Sequence, residues 1–376
     1  MSRFHLFNPE NDIALGLGVE HYNPGREVLR FHRDGAALPL WYAEPGDCFY
    51  APDVSGAWLE TMSKRFGLDV VADMSANGRE GVPWGWSLDA RRQLSELGAG
   101  CIDVGHVEHI RELSHRRITV DVMSHLHEHL GFSFPPIPIE AYSVDEALSA
   151  INVFGDAYVK SPWSSSGRGV FATKGLAPRL IESRISGTIS RQGSVIVEKA
   201  LDKEADFAVL FYSDGVDVRH VGYSVFFNDH GCAYGGNVVA SDDLLLGYLS
   251  RKVDVSVLQM VVTSLETVLT KRVATIYKGY LGVDMMALPE GEIAPCVEVN
   301  LRMTMGVVAW KLAKNILADG AIGVYRVTCQ HQGVDCNDTS ITESGRMTGG
   351  RLPLVPVTAQ SRFAITLEAS DGLKLL

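Results

Sequence analysis

The sequence lacks the basic excess that marks a general binder of nucleic acid or of anionic membranes. It carries 34 Lys and Arg against 45 Asp and Glu, a net charge of −11. A basic patch supplies most non-specific affinity for such partners, so neither is expected here. A local basic cleft for a phosphate ligand is compatible with this balance. No apolar run reaches the ~18 residues of a membrane span. The opening MSRFHLFNPENDIALG has no basic stretch leading into an apolar one, so no signal peptide is seen. The six cysteines, at 48, 101, 232, 296, 329 and 336, form no CxxC pair. That argues against a zinc framework or a disulfide scaffold and for reduced thiols in a cytoplasmic protein. Asn337-Asp338-Thr339 fits a glycosylation pattern, but with no secretory route it reads as chance. There is no internal repeat and no low-complexity segment.

Two nucleotide-binding signatures are also missing. GxxxxGK[ST] does not occur, and Gly16-Leu17-Gly18 has His21 where a third glycine would stand. What is present is an ordinary globular balance, 46% hydrophobic and 21% charged over 376 residues. At ~150 residues per domain this is two or three domains.

Residues 3–7 read as a first strand, closed by Asn8-Pro9, since proline cannot continue a central strand. Short strands at 48–50 and 68–72 alternate with helices at 55–66 and 87–97, the pattern of a parallel α/β sheet. A boundary is expected near 105. A helix over 114–130 follows, ended by Gly131. Strands are then expected at 157–161, 169–173, 194–199, 205–212, 218–228 and 232–239. The segment 253–272 has Val257, Val261, Leu265 and Val268 at helical spacing. A hairpin of strands 282–288 and 293–302 turns at Pro289-Glu290-Gly291, a helix covers 306–317, and two strands fill 350–370.

Three segments carry chemistry. In YVKSPWSSSGRGV, Lys160 ends a strand and is followed by a small-residue loop. Small residues let backbone N–H groups approach phosphate oxygens, and lysine adds a point charge. In PCVEVNLR, side chains alternate faces, so Glu298, Asn300 and Arg302 share one face while Val297, Val299 and Leu301 are expected in the core. Carboxylate and amide oxygens suit a hard cation, and a guanidinium forks onto phosphate. Asp284, on the partner strand, is expected beside them. In VIVEKALDKEADF, an apolar strand ends in Glu198-Lys199 before an acidic connection, a place where a purine and its ribose could be held, although on spacing alone a solvated strand end is the stronger reading.

In their order and character, YVKSPWSSSGRGV, VIVEKALDKEADFAV, GYLGVDMM and PCVEVNLRMTMG resemble the ATP-grasp superfamily, over about residues 114–310. The resemblance implies an α/β ATP-grasp fold with a Rossmann-like domain before it. The expected division is an N-terminal domain over 1–105, a small subdomain with the phosphate loop over 106–195, and a C-terminal subdomain with the metal site over 196–376. It also implies roles. Lys160 would contact the ATP phosphates, under a loop made of Ser164, Ser165, Ser166, Gly167, Arg168 and Gly169. Glu198 would meet the adenine amino group, with Lys199 and Leu201 in the hinge. Asp206 would meet the ribose, with Glu204 as rival. Asp284, Glu298 and Asn300 would hold magnesium, or manganese in its place. Arg302 would face the transferred phosphate. Arg116 or Arg117 would replace an upstream lysine that the family often carries.

The implied activity joins a carboxylate to an amine or thiol through an acylphosphate, with release of ADP and phosphate. The alternatives are a phosphotransferase acting on a hydroxyl and a non-catalytic nucleotide binder. Asn8, Asn11 and Asp12 would touch a second substrate or cap a helix. Trp84 and Trp86 would line a pocket or fill core, core being the stronger reading. Tyr234-Gly235-Gly236-Asn237 would lie near the acceptor. His125, Glu128 and His129 satisfy HxxEH, but a solvated helix end is the stronger reading.

Overall fold

The computed structural model describes residues 2–164, 169–229, 233–329 and 339–370. The first sheet comprises β1 (Arg3–Leu6), β2 (Cys48–Phe49), β3 (Val71–Ala72) and β4 (Glu80–Pro83). All its pairings are parallel, in the order β3-β2-β1-β4. Helices α1 (Asn11–Leu17), α2 (Arg26–Asp34), α3 (Gly56–Phe66) and α4 (Leu88–Glu96) connect and flank these strands. The order reverses between β1 and β4, which places a crevice beyond their carboxyl ends.

That crevice is occupied by the protein itself. Asn8 Nδ2 donates to the Gly85 carbonyl at 2.9 Å and its Oδ1 accepts from Gly85 N at 3.4 Å. The buried Asn11 amide, oriented as its neighbours require, donates to the carbonyls of Gly85 and Trp86. A Cβ at position 85 would lie 2.3 Å from Asn11 Nδ2, so glycine is needed there. Neither asparagine caps α1.

The stretch expected as one helix over 114–130 is two. Helix α5 spans Val104–Leu113 and α6 spans Arg117–Leu130, with a turn at 114–116 between them. The break has a tertiary cause: Arg116 N donates to the Pro162 carbonyl, 3.1 Å away, instead of continuing a helix. Gly131, at φ 63°, ends α6 as expected.

The second sheet is small and antiparallel. It holds β5 (Ile139–Ala141), β6 (Ala157–Lys160), β7 (Val170–Ala172) and β8 (Val195–Lys199), in the order β5-β8-β6-β7. Helices α7 (Val144–Phe154) and α8 (Pro178–Gln192) pack on it through Ala147, Ala150, Ile181 and Ile185. The expected boundary between 195 and 196 falls inside β8, whose hydrogen bonds all run to β5 and β6.

The third sheet has nine strands: β9 (Ala205–Ser213), β10 (Val218–Asp229), β11 (Ala233–Val239), β12 (Gly279–Ala287), β13 (Ile293–Asn300), β14 (Gly323–Cys329), β15 (Ser340–Ile341), β16 (Met347–Pro353) and β17 (Phe363–Ala369). Their order is β13-β12-β9-β10-β11-β14-β17-β16-β15. Central β9 is apolar on both faces. Phe207, Val209 and Phe211 face a core shared with α6, α9 (Asp242–Leu249) and α10 (Val255–Val273). Ala208 and Leu210 face the other core, shared with α11 (Met305–Asn315), Trp41 and Trp84. Period-two alternation explains this split. Trp84 is therefore core, as expected, and Trp86 is half-buried. Among the described residues, no helix is long and apolar enough to cross a membrane.

Candidate nucleotide and metal site

A cleft of about 240 Å³ opens between the small sheet and the edge of the large one. Its walls come from β6, β8, β12, β13 and the turn before α6. Lys160, Glu198, Lys199, Leu201, Asp206, Asp284 and Glu298 all line it. These positions are scattered through 139 residues of sequence and converge because β6 and β8 pair side by side and β12, β13 and β9 do likewise.

Lys160 ends β6 and is 7% exposed. Its Nζ lies 2.5 Å from Glu198 Oε1 and 3.4 Å from the Val297 carbonyl. Val297, expected in the core, is half-buried and lines the cleft instead. Asp206 Oδ2 accepts from Lys203 at 2.5 Å and from Asn228 at 3.1 Å. Glu204 pairs with Lys252 at 3.3 Å and does not line the cleft. The apolar walls are Met123, Pro135, Pro136, Phe226, Met285 and Met286. Sequence reading missed them; the Met-Met pair after Asp284 was the available signal.

Asp284 and Glu298 are paired directly across the β12–β13 hairpin, and Asn300 faces Gly282. Like charges opposite each other in a sheet are destabilising. Withdrawal from water, then the charge of Glu298, push the Asp284 carboxyl up to about 7. Burial acts on Glu298 in the same direction, but Arg116 and then Lys160 outweigh it and hold that carboxyl below its ordinary value. Asn300 Nδ2 donates to Asp284 Oδ2 at 3.1 Å, and its Oδ1 accepts from Arg302 at 2.9 Å. Two carboxylates and an amide oxygen on one hairpin are a donor set for a hard cation, and a cation would relieve the Asp284–Glu298 repulsion. Among the described residues, no cluster of three or more His, Cys, Asp or Glu is placed to hold a metal. The row here reaches three donors only through the amide.

Arg302 lies beyond the end of β13, not on it. Its Nε donates to Asp12 Oδ1 and Oδ2 at 2.8 and 2.9 Å, and its Nη2 lies 2.8 Å from Oδ2. Asp12 thus meets a guanidinium rather than a helix end. Arg116, not Arg117, turns to the site. Its Nη1 donates to the Ser161 carbonyl at 3.0 Å and to Ser164 Oγ at 2.9 Å, and its Nη2 reaches Glu298 Oε1 at 2.6 Å. Arg117 pairs with Glu140 at 3.0 Å on the outside.

Ser165, Ser166, Gly167 and Arg168 lie outside the described residues. Gly169, at their far end, has φ +73°, and a Cβ there would lie 2.7 Å from Ser161 Oγ. Tyr234 and Asn237, expected near an acceptor, bond instead to each other and to Ser224. Asn237 is buried at 1% exposure. His125 and His129 stack at 4.0 Å between ring centres on the last turns of α6.

No protein-family model and no curated protein matches this chain. Solved structures do. Phosphoribosylamine–glycine ligase from Thermotoga maritima aligns over 98% of this chain and 92% of its own, with TM-score 0.54 at 14% identity. Biotin carboxylase from Campylobacter jejuni aligns over 98% and 87%, with TM-score 0.51 at 13% identity. N5-carboxyaminoimidazole ribonucleotide synthetase from Thermus thermophilus aligns over 99% and 94%, with TM-score 0.51 at 11% identity. The chain has the ATP-grasp fold. Within that ATP-grasp fold the cleft lies between the two antiparallel sheets, and Asp12 bounds a smaller gap that shares Arg116 and Glu298 with it.

Proposed function

We propose that this protein is an ATP- and magnesium-dependent ligase that joins a carboxylate to an amine or thiol. The observation that carries the reading is the Asp284–Glu298–Asn300 row: Asp284 and Glu298 line the cleft with Lys160 and Arg116, and Asn300 links Asp284 to Arg302 by hydrogen bonds. A biotin carboxylase complexed with β,γ-ATP shares the fold, which supports the nucleotide assignment. Lys160 and the loop from Ser164 to Gly169 would hold the phosphates. Glu198, Lys199 and Leu201 would hold the adenine, and Asp206 the ribose. Asp284, Glu298 and Asn300 would hold magnesium or manganese, which supplies neutralisation of phosphate charge.

In the first step an oxygen of the substrate carboxylate attacks the γ-phosphorus, the bond to the β-bridging oxygen breaks, and ADP leaves. In the second, the amine nitrogen attacks the acylphosphate carbon, phosphate departs with the carboxylate oxygen, and the nitrogen loses a proton. Lys160 and Arg302 supply fixed positive charge for the transferred phosphoryl group, and preorganised charge of this kind is usually the largest contribution. The three-part division is kept, with the second boundary moved past Lys199 so that β8 stays with its sheet. Both substrates are read as small molecules.

The test is a screen of amino acids, short peptides and amines with carboxylate-¹⁸O substrates. ADP with one labelled oxygen in the phosphate, and a hydroxamate when hydroxylamine replaces the amine, are expected. AMP with pyrophosphate would sink the mechanism. ADP with a phosphorylated hydroxyl and no oxygen transfer would make the protein a phosphotransferase.

A further inference from the structure

Arg116 and Glu298 have a position that the ligase chemistry alone does not explain. The 240 Å³ cleft is lined by both residues, and so is a second gap of about 20 Å³ bounded by Asp12, Ser114, Trp163, Ser164 and Asn300. Their 2.6 Å ion pair is therefore a partition between the two spaces. Arg116 is 7% exposed, and its guanidinium is tied to the start of the phosphate loop at Ser161 and Ser164. Its backbone N–H holds the Pro162 carbonyl. Its Nε is buried with no partner among the described residues. Glu298 is its carboxylate partner among the described residues, because Lys160 is matched to Glu198 and Arg302 to Asp12.

Resting on the reading above, we propose that Arg116 is a positioning residue that withholds Glu298 from a cation until a phosphate anion takes the carboxylate's place. The Glu298 carboxylate, whose Oε1 the guanidinium holds, is also the one that a metal in the row would need to turn toward it. A cation arriving alone must pull it away and leave a buried guanidinium without an anion, which is strongly unfavourable. An arriving triphosphate removes that obstacle. Its oxygens fit the guanidinium fork and can use the free Nε, so Glu298 is released to turn toward the metal row. Nucleotide and cation are then coupled through one side chain, beyond any direct contact between them. The exchange also opens the partition toward Asp12 and Arg302 only when phosphate is present.

The measurement is Mn(II) binding to the full chain, followed by the paramagnetic resonance signal of the free ion, with and without a non-hydrolysable ATP analogue. Wild type is expected to bind Mn(II) weakly alone and tightly with the analogue. Arg116→Met should bind Mn(II) alone about tenfold more tightly than wild type, within the range by which partners of metal ligands change affinity. Lys160→Met removes the same charge nearby but leaves the Arg116–Glu298 pair, and should gain less than about threefold. Equal gains in the two variants would overturn the proposal, since general electrostatics would then account for both. If Arg116→Met does not fold, Arg116→Lys is read in its place. It keeps the charge but not the fork, and any gain not exceeding that of Lys160→Met counts against the clasp. If wild type fails to bind Mn(II) even with the analogue, the metal site of the previous section is wrong, whatever the variants do.

Discussion

Asp47, at the entry to the first sheet, and Asp284, in the large one, are both largely buried aspartates, and their surroundings are opposite. Asp47, just before β2, receives the Arg3 backbone N–H at 2.8 Å, the Arg3 side chain at 2.9 Å and His5 at 2.9 Å. Burial pushes its carboxyl up, but the hydrogen bonds from His5 and Arg3 win and hold it well below the usual range. Asp284 receives one amide hydrogen bond and faces Glu298. Its carboxyl is driven up instead. The first arrangement is complete and ties Arg3 and His5 of β1 to the entry of β2. The second is frustrated as it stands, and only an added positive charge would complete it. Groups whose surroundings push them away from ordinary titration, in a cleft, mark functional sites.

The comparison breaks if the two regions respond alike to mutation. The largest expected effect is on turnover: Lys160→Ala should lower kcat by roughly 10²–10³-fold. It should also cost some stability, because Glu198 loses its partner. Full activity in the folded variant would remove Lys160 from the site. Next, Asp47→Ala should destabilise the chain by about 3 kcal/mol, since donors and cations are left buried without their anion. Urea unfolding measures this, and Mn(II) affinity with nucleotide should stay unchanged. A changed metal affinity would merge the two regions.

A third test uses pH. Asp284 has a folded-state value near 7, above the ordinary 3.8. Between those values the unfolded chain has lost a proton that the native chain keeps. Metal-free stability from this group is thus full below about pH 4 and declines toward pH 7. The slope is at most about 1.4 kcal/mol per unit, less because the carboxyl opens to the cleft. Asp284→Asn should remove that slope while abolishing metal binding. Asp47 works the other way, lending stability above its unfolded value and losing it in acid. The smallest effect is expected at Arg117→Ala, within about 0.5 kcal/mol and with activity near wild type. A clear loss of activity in the folded Arg117→Ala variant would undo the distinction between the two arginines.

The convergence of Asp284, Glu298 and Asn300 was legible because strand alternation puts Glu298 and Asn300 on one face, and Pro289-Glu290-Gly291 marks the turn that brings Asp284 opposite. The turn itself bears this out, with Glu290 and Gly291 at positive φ. The break at Ser114–Arg116 was not legible. It contains no glycine or proline, and its cause is a hydrogen bond to a residue 46 positions away. Strand β4, Glu-Gly-Val-Pro, has poor strand propensity and exists because β1 pairs with it. Strand β14 was missed too; its neighbours β11 and β17 lie on either side of it. The partner of Arg302 was equally hidden, since nothing local links Asp12 to a residue near the far end of the large sheet.

That last contact joins positions 290 residues apart. At the ~5–20 residues per second of protein synthesis, Asp12 leaves the ribosome about 15–60 s before Arg302. The first sheet, complete by Pro83, has its strands made early in that interval, and α1 then presents an acid with its cation not yet made. The Asp12–Arg302 contact is therefore made late, after the strands of the first sheet and before β14 to β17 have been synthesised. A growing chain gains the Asp12–Arg302 pair only when the large sheet's β12–β13 hairpin has been synthesised in full.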